Sequence, residues 1–524
     1  MRAPLAAASA PQGTMPRQIP FIIGNEACER FSFYGMRNVL TDFLVGYLLI
    51  SLAEADRQPA AKEVFHIFVM GVYFFPLLGG WLADRFLGKY RVIFWLSIVY
   101  CVGQALLAYS IDSKEGFYAG LFLIALGSGG IKPCVSAFVG DQFDQTNKHL
   151  AKVVFDAFYF IINFGSFFAS LLIPPLLKSG HARWAFGVPA ILMAVSTVVL
   201  FAGRKKYVHV APAGKDPNGF LSVCITALFR GGGLNAGSVL VGLGSVGALG
   251  ALLLWQSLGL VATACLSIVI FLSFAGAGVW LRAENARGVH PDEDVDGVKA
   301  VLRVLVIFAL VTPFWSLFDQ KASTWILQAK SMQLPGWSWF TTASQMQALN
   351  PLLVMLLIPF NNLVLYPGLK KRGVEPTALR RMGLGIAFSG LSWIVVGSLQ
   401  LAIDGGQSLP ILWQILPYAL LTFGEVLVSA TGLEFAYSQA PRRMKGVLMS
   451  FWSLSVTIGN LWVLLVNASV KNESVTRRIT EQGWGVVATQ MYFFAGFAFV
   501  AAGAFALYAR KYTVVDNYRK SDAA

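Results

Sequence analysis

The sequence predicts an all-α polytopic membrane protein with fourteen helices, and three observations carry that expectation. Hydrophobic residues make up 56% of the 524 positions, charged residues only 13%, and mean hydropathy is +0.62. A soluble chain of this length does not have that composition. The apolar residues fall into fourteen runs, most near the ~20 residues that cross a bilayer. Each must be a helix, because a segment facing lipid has to satisfy its own backbone polar groups. The basic residues alternate between loops. With the N-terminus placed inside, inner loops hold 26 Lys and Arg and outer loops hold 9. That asymmetry places both termini in the cytoplasm. It also explains the net charge of +14 without nucleic acid as a partner.

In chain order the apolar runs lie at about 21–50, 64–87, 90–111, 115–140, 153–177 and 184–203. Two more follow at about 236–256 and 259–282, then six at about 300–322, 344–366, 378–402, 410–436, 443–467 and 485–509. Six, two and six define three regions: an N-terminal bundle over 1–203, a linker with two extra helices over 204–299, and a C-terminal bundle over 300–524. The extra pair is flanked by Gly231-Gly232-Gly233 and by an acidic loop, Asp292-Glu293-Asp294, and reads as an addition outside the core. Five cysteines sit in or beside apolar runs with no CxxC or metal spacing, so they read as packing residues. The first residues show no separate cleavable apolar region, and a signal peptide is not indicated.

The densest chemistry lies in the first run. At 100° per residue Glu26, Glu29, Arg30, Phe33, Tyr34 and Arg37 share an arc of roughly 140°. A charge at mid-membrane costs ~2.5–3.5 kcal/mol, so four unpaired ones would cost on the order of 10 kcal/mol. This face must meet partners or water, either as an ion-pair lock between helices or as a working site. The stretch Glu26-x-x-Glu29-Arg30-Phe31-x-Phe33-Tyr34-Gly35 resembles the ExxERFxYYG signature of proton-dependent oligopeptide transporters, a branch of the major facilitator superfamily. Phe33 replaces the first tyrosine of that signature, which removes one hydroxyl. The six-plus-six arrangement fits the pseudo-symmetric facilitator fold, and the resembling bacterial members often carry an inserted helix pair.

Further stretches resemble the same family. The second run holds His66 and Tyr73 on one face. A lone membrane histidine is often hydrogen-bonded packing, but its ordinary pKa also suits proton handling. Phe65-His66-Ile67-Phe68-Val69 resembles animal peptide transporters, in which such a histidine is linked to proton coupling. Gly79-Gly80-Trp81-Leu82-Ala83-Asp84-Arg85 through Arg91 resembles the superfamily's cytoplasmic motif between helices two and three, where Asp84 with Arg85 and Arg91 is expected to form a charge latch. Gly127-Ser128-Gly129-Gly130-Ile131-Lys132 projects a lysine from a thinned helix, and Phe158-Tyr159-x-x-Ile162-Asn163-x-Gly165-Ser166 resembles the family's FYxxINxGS signature. Gly242-Leu243-Gly244-Ser245-Val246-Gly247 matches GxGxxG. It lies in an apolar helix without a preceding strand, so it reads as helix packing.

The second half supplies Trp315 and Asp319 four residues apart, Asn350 before Pro351, Glu425 with Ser429, and Trp452. Lys321, two residues after Asp319, faces elsewhere on an ideal helix. Beside Glu26 and Glu29 the first half holds three bases, Arg30, Arg37 and Lys132, and the second half two acids, Asp319 and Glu425, so a cavity between them matches the dipole of a zwitterionic peptide. By resemblance as well as charge, Arg30, Lys132 and Tyr34 are expected to take the peptide carboxylate, and Asn163, Asn350 and Glu425 the amino end. Tyr73, Trp315 and Trp452 would line side-chain pockets. Arg37 with Asp319, and Lys132 with Glu425, would pair across the halves, and Glu26, Glu29, Arg30, His66 and Asp319 would couple protons.

The function expected is therefore symport of di- and tripeptides with protons by alternating access, with no cofactor, in a bacterial inner membrane, as a monomer. Three other functions compete: a related carrier of another anion such as nitrate, a non-transporting peptide sensor, and a membrane enzyme. The last lacks HExxH, GxSxG or a paired His/Cys cluster.

Overall fold

The computed structural model describes residues 14–514 apart from 145–146, 148–149, 213, 215, 232–233 and 440–443. The two ends of the chain, assigned above to the cytoplasm, and Gly232 and Gly233 of the run flanking the extra pair lie outside the described residues. The first half consists of α1 (Ile19–Phe43, prolonged by a π turn to Leu48), α2 (Glu54–Phe74, resumed after Phe75 as Pro76–Leu82), α3 (Lys89–Tyr109), α4 (Lys114–Gly140), α5 (Ala151–Lys178) and α6 (Ala182–Ala202). The middle region contributes α7 (Phe220–Phe229), α8 (Ala236–Leu252) and α9 (Leu260–Arg282). The second half runs through α10 (Asp292–Asp319), α11 (Thr324–Lys330), α12 (Leu349–Phe360), α13 (Ala378–Asp404), α14 (Ile415–Gln439), α15 (Lys445–Val470), α16 (Glu473–Glu481) and α17 (Val486–Lys511).

Among the described residues twelve helices are long and apolar enough to cross a membrane. The fourteen expected include two more: α1, which carries the charged cluster, and α8, which has only 17 residues. Three departures from the expectation have physical causes. Asp292, Glu293 and Asp294 are the first turn of α10 rather than a loop, where carboxylates favour the positive helix end. The apolar α7 lay in a stretch read as linker, because ten residues are too few to register as a span. The polar α16 escaped for the opposite reason, since its sequence has no apolar run.

Buried apolar side chains gather into two large clusters. One is drawn from Ile19–Tyr207 with Ala322, the other from Val223–Phe505. α1 packs on α5 and α6, α3 on α4, α13 on α14 and α17, and α10 on α15, while α2 meets α15 and α5 meets α12 across the halves. Close approach rests on glycine. A Cβ at Gly79 would strike the backbone of Gly130, one at Gly129 would strike Phe75, and one at Gly127 would lie 2.7 Å from the Leu96 carbonyl. This is why α2 and α3 can press against α4.

The extra pair α8–α9 also packs through glycine, with Gly244 facing Phe274 and Gly247 facing Ile270. That is what the GxGxxG stretch does. The pair is peripheral but not detached. Ala262 of α9 is buried in one cluster with Met70 of α2 and with Leu461 and Leu464 of α15, so α9 covers a seam between the halves.

Candidate functional site

The charged face of α1 turns inward. Glu26, Glu29, Arg30 and Arg37 are all buried. Arg30 Nε lies 2.7 Å from Glu26 Oε1 and 2.6 Å from Glu29 Oε2. These are close charge contacts rather than aligned hydrogen bonds, since the same Nε makes none. The triad sits where α1 and α5 nearly touch. A Cβ at Gly165, in the FYxxINxGS stretch, would lie 3.2 Å from the Ala27 carbonyl and 3.6 Å from Arg30 Cβ.

Two turns further on, the expected cross-half pair is present. Arg37 Nη2 donates to Asp319 Oδ1 at 2.7 Å, with side chains 7% and 3% exposed. Asp319 Oδ2 accepts from Asn460 Nδ2 at 2.8 Å, and Asn460 Oδ1 meets His66 Nδ1 at 2.6 Å. His66 Nε2 reaches Ser323 Oγ at 3.0 Å. One chain of polar groups thus links α1, α2, α10, α15 and the α10–α11 break. Asn460 and Ser323 escaped the sequence reading. The signal available for Asn460 was an amide in the middle of a membrane-spanning run, which needs a partner once buried.

The second expected pair is not formed. Lys132 Nζ sits over the rings of Phe33 at 4.1 Å and Tyr73 at 4.6 Å. The reason is aromatic: the two ring faces attract the ammonium within the first half. The same contact shows what Phe33 does at the position of the missing hydroxyl, since only a ring face is needed there. Glu425 instead accepts from Asn350 Nδ2 at 2.5 Å, and Asn350 Oδ1 accepts from Lys321 Nζ at 2.8 Å. Lys321 is buried in a short 3₁₀ turn, Gln320–Ala322, that ends α10. This turn breaks the ideal-helix periodicity that set Lys321 aside, and swings it onto α12.

The aromatic residues divide between the halves. Trp315 and Trp452 meet edge-to-face at 5.8 Å, both buried, while Tyr73 remains with Lys132. Tyr34 contacts the Phe33 ring edge-to-face at 5.3 Å. Asn163 donates to the Tyr159 carbonyl of its own helix at 3.0 Å and makes no hydrogen bond to Asn350 or Glu425. Ser429 lies one turn beyond Glu425 on α14 and is half-buried.

The expected latch among Asp84, Arg85 and Arg91 is not seen either. Among the described residues no ion pair joins them. Lys89 Nζ takes the interhelical role, pairing with Asp141 Oδ2 of the α4 end at 2.7 Å. Asp84 faces the other half, its Oδ2 3.3 Å from the Cβ position of Gly446 at the start of α15. The positive end of that helix attracts the carboxylate, so sequence neighbours lose the competition.

The halves are stitched most heavily at the end carrying residues 41–48 and 330–344. Thr41 Oγ1 donates to the Ala322 carbonyl at 2.8 Å, and Gln347 Nε2 to the Asn38 carbonyl at 3.0 Å. Asp42 holds Lys330 Nζ at 2.6 Å and accepts from the Ser344 hydroxyl. Lys178 Nζ donates to the Thr341 carbonyl at 2.8 Å, and Gln345 Nε2 to the Leu171 carbonyl at 3.1 Å.

Two helical halves with buried charges along their seam define a multi-pass membrane protein. Comparison with known proteins narrows the class. The profile of the POT family matches residues 90–484. The chain is 35% identical to "Peptide transporter family 2" of Caenorhabditis elegans over 74% of this chain and 48% of that one. It is 32% identical to "Solute carrier family 15 member 1" of Oryctolagus cuniculus over 76% of this chain and 53% of that one. The chain thus spans about half the length of these curated relatives. Among solved structures it is similar to an auto-inhibited POT family peptide transporter, with 62% identity, 97% of this chain and 99% of that chain covered, and a TM-score of 0.93. The POT family transporter PepTSo gives 64% identity, coverage of 97% and 100%, and again a TM-score of 0.93. The chain belongs to the POT family, that of the proton-dependent oligopeptide transporters.

Proposed function

We propose that this protein is a proton-coupled symporter of di- and tripeptides, working by alternating access between bundles 1–203 and 300–524. The buried Arg37–Asp319 pair carries the reading. It joins the halves at one end only, and a charge pair out of water is a strong two-state lock: removing one partner costs about 3–5 kcal/mol. Protonation of Asp319, or displacement of its partner, releases that end, and the opposite end closes as the halves rock.

Within that cycle Glu26, Glu29 and Arg30 handle the proton. Arg30 holds both carboxylates in the resting state, and protonating either one frees the guanidinium for a peptide carboxylate. Lys132 and Tyr34 add positive charge and a hydroxyl to the same wall. On the facing wall Glu425 and Asn350 take the peptide amino end, with Lys321 holding Asn350 in register, and Asn163 and Ser429 complete the polar lining. Tyr73, Trp315 and Trp452 offer apolar area for side chains. His66, through Asn460, reports to Asp319. The relatives described as peptide transporters support this substrate class.

The protein then works as a monomer in a bacterial inner membrane with both termini in the cytoplasm. The stitched end, carrying 41–48 and 330–344, faces outside.

The experiment is uptake of labelled dialanine into proteoliposomes with and without an inward proton gradient, competed by tripeptide, free alanine and nitrate. Gradient-driven uptake blocked by tripeptide alone is the expected result. Uptake indifferent to the gradient overturns the proton role, and a nitrate-blocked flux overturns the substrate class.

A further inference from the structure

At the stitched end the two halves enclose a cleft of about 380 Å³, lined on one side by Asp42, Tyr47 and Lys178 and on the other by Lys330, Met332 and Thr341. Its size lies in the range of small-molecule sites, and it is separate from the Glu26–Arg30 and Glu425–Lys321 groups. Its charges are arranged as a dipole. The Asp42 carboxylate, 15% exposed, faces one ammonium, Lys330, at 2.6 Å. A second ammonium, Lys178, is exposed and donates to the Thr341 carbonyl at 2.8 Å. No carboxylate pairs with Lys178 among the described residues. The floor is apolar and aromatic: Met332 is buried, while Tyr47 is 43% exposed and tethered through its hydroxyl to the Leu177 carbonyl at 3.2 Å.

We propose that this cleft is an outer docking site for a zwitterionic peptide, with Lys178 receiving the carboxylate, Asp42 the ammonium, and Tyr47 and Met332 the side chains. The termini of a dipeptide lie roughly 5–7 Å apart by backbone dimensions, which suits a site carrying one acid flanked by two bases. Occupancy has a consequence for the halves. The groups the peptide engages are the ones that tie them: Asp42 to Lys330 and Ser344, Lys178 to Thr341. An ammonium on Asp42 competes with Lys330, and a carboxylate on Lys178 competes with the Thr341 carbonyl. Arrival of peptide therefore loosens these cross-half contacts before the Arg37–Asp319 pair beneath them. This inference rests on the peptide-transport reading.

The test is proton-driven dialanine uptake in vesicles of known orientation, measuring KM separately for peptide added outside and for efflux from inside, in the wild type, Lys178→Ala and Lys178→Arg. Because the ammonium is exposed, its contact is worth a modest factor. Lys178→Ala should raise the outside KM about threefold, leave the inside KM at the wild-type value, and be restored by Lys178→Arg. An unchanged outside KM overturns the site. An equal rise on both faces, or a fall outside, also overturns it, because the lysine then acts only by holding the halves together. Absence of dialanine uptake by the wild type overturns both the transport reading and the site, whereas normal wild-type uptake with an indifferent Lys178→Ala overturns the site alone.

Discussion

Asn460→Leu is the most informative single substitution, because Asn460 bonds to both halves. Its amide nitrogen donates to Asp319 Oδ2 at 2.8 Å and its oxygen meets His66 Nδ1 at 2.6 Å. All three side chains are buried, with Asn460 and His66 at 0% exposure and Asp319 at 2%. Leucine approximates the shape, so packing is largely kept while one carboxylate oxygen and one imidazole nitrogen lose their partner. Each orphaned buried group costs about 1–3 kcal/mol. The cost arises only while α2, α10 and α15 are drawn together at this end, since water reaches both groups once the halves part there. A differential of about 2 kcal/mol shifts the balance between the two conformers roughly thirtyfold. The assay is a distance distribution between spin labels at Glu115, in the first turn of α4, and Gln407, on the loop after α13, both exposed and in opposite halves. The variant should show a longer-distance population that the wild type lacks. A distribution identical to wild type, in a variant that still folds, would refute the view that this network holds the stitched end shut.

Other predictions follow from the same geometry. Glu29→Gln should abolish gradient-driven uptake yet leave counterflow exchange, because the Arg30 contact loses its titratable partner while the cavity stays intact; normal driven uptake by this variant would exclude Glu29 from coupling. Lys321→Ala frees the amide that holds Glu425 and should raise the KM for dialanine about tenfold, a loss of about 1.4 kcal/mol, whereas an unchanged KM would remove Lys321 from the site. Gly79→Ala drives a methyl into the Gly130 backbone and should cost about 1–3 kcal/mol, read as a lower Tm in detergent. Lys471→Ala is the contrasting case. Its pair with Glu63 spans the halves at 2.6 Å but is 49% and 30% exposed, so the change should stay below about 1 kcal/mol and leave the Tm near wild type.

The sequence by itself determined the membrane character, the membrane-crossing helices, and the identity of most buried charges. The physical reason is that the bilayer imposes its demands on each segment separately. A crossing must be apolar, long enough and helical whatever its neighbours do, and a charge inside it stands out one residue at a time. Arg37 and Asp319 could be matched from opposite halves because each was an unaffordable charge alone. The short motifs were legible for a related reason: Gly79, Gly129 and Gly165 mark close helix approach, which leaves a local trace.

What the tertiary structure decided was the choice among partners. Lys132, matched by charge to Glu425, took the rings of Phe33 and Tyr73. Asp84 had arginines beside it and faced the start of α15. Lys321 entered the site through a 3₁₀ turn that no helical projection contains, and Asn460 became the hinge of the network only because α15 lies against α2 and α10. α9, set apart by its position in the chain, covers a seam between Met70 and Leu464. In each case several partners satisfied the local chemistry, and only the three-dimensional arrangement of the helices brought one of them within reach.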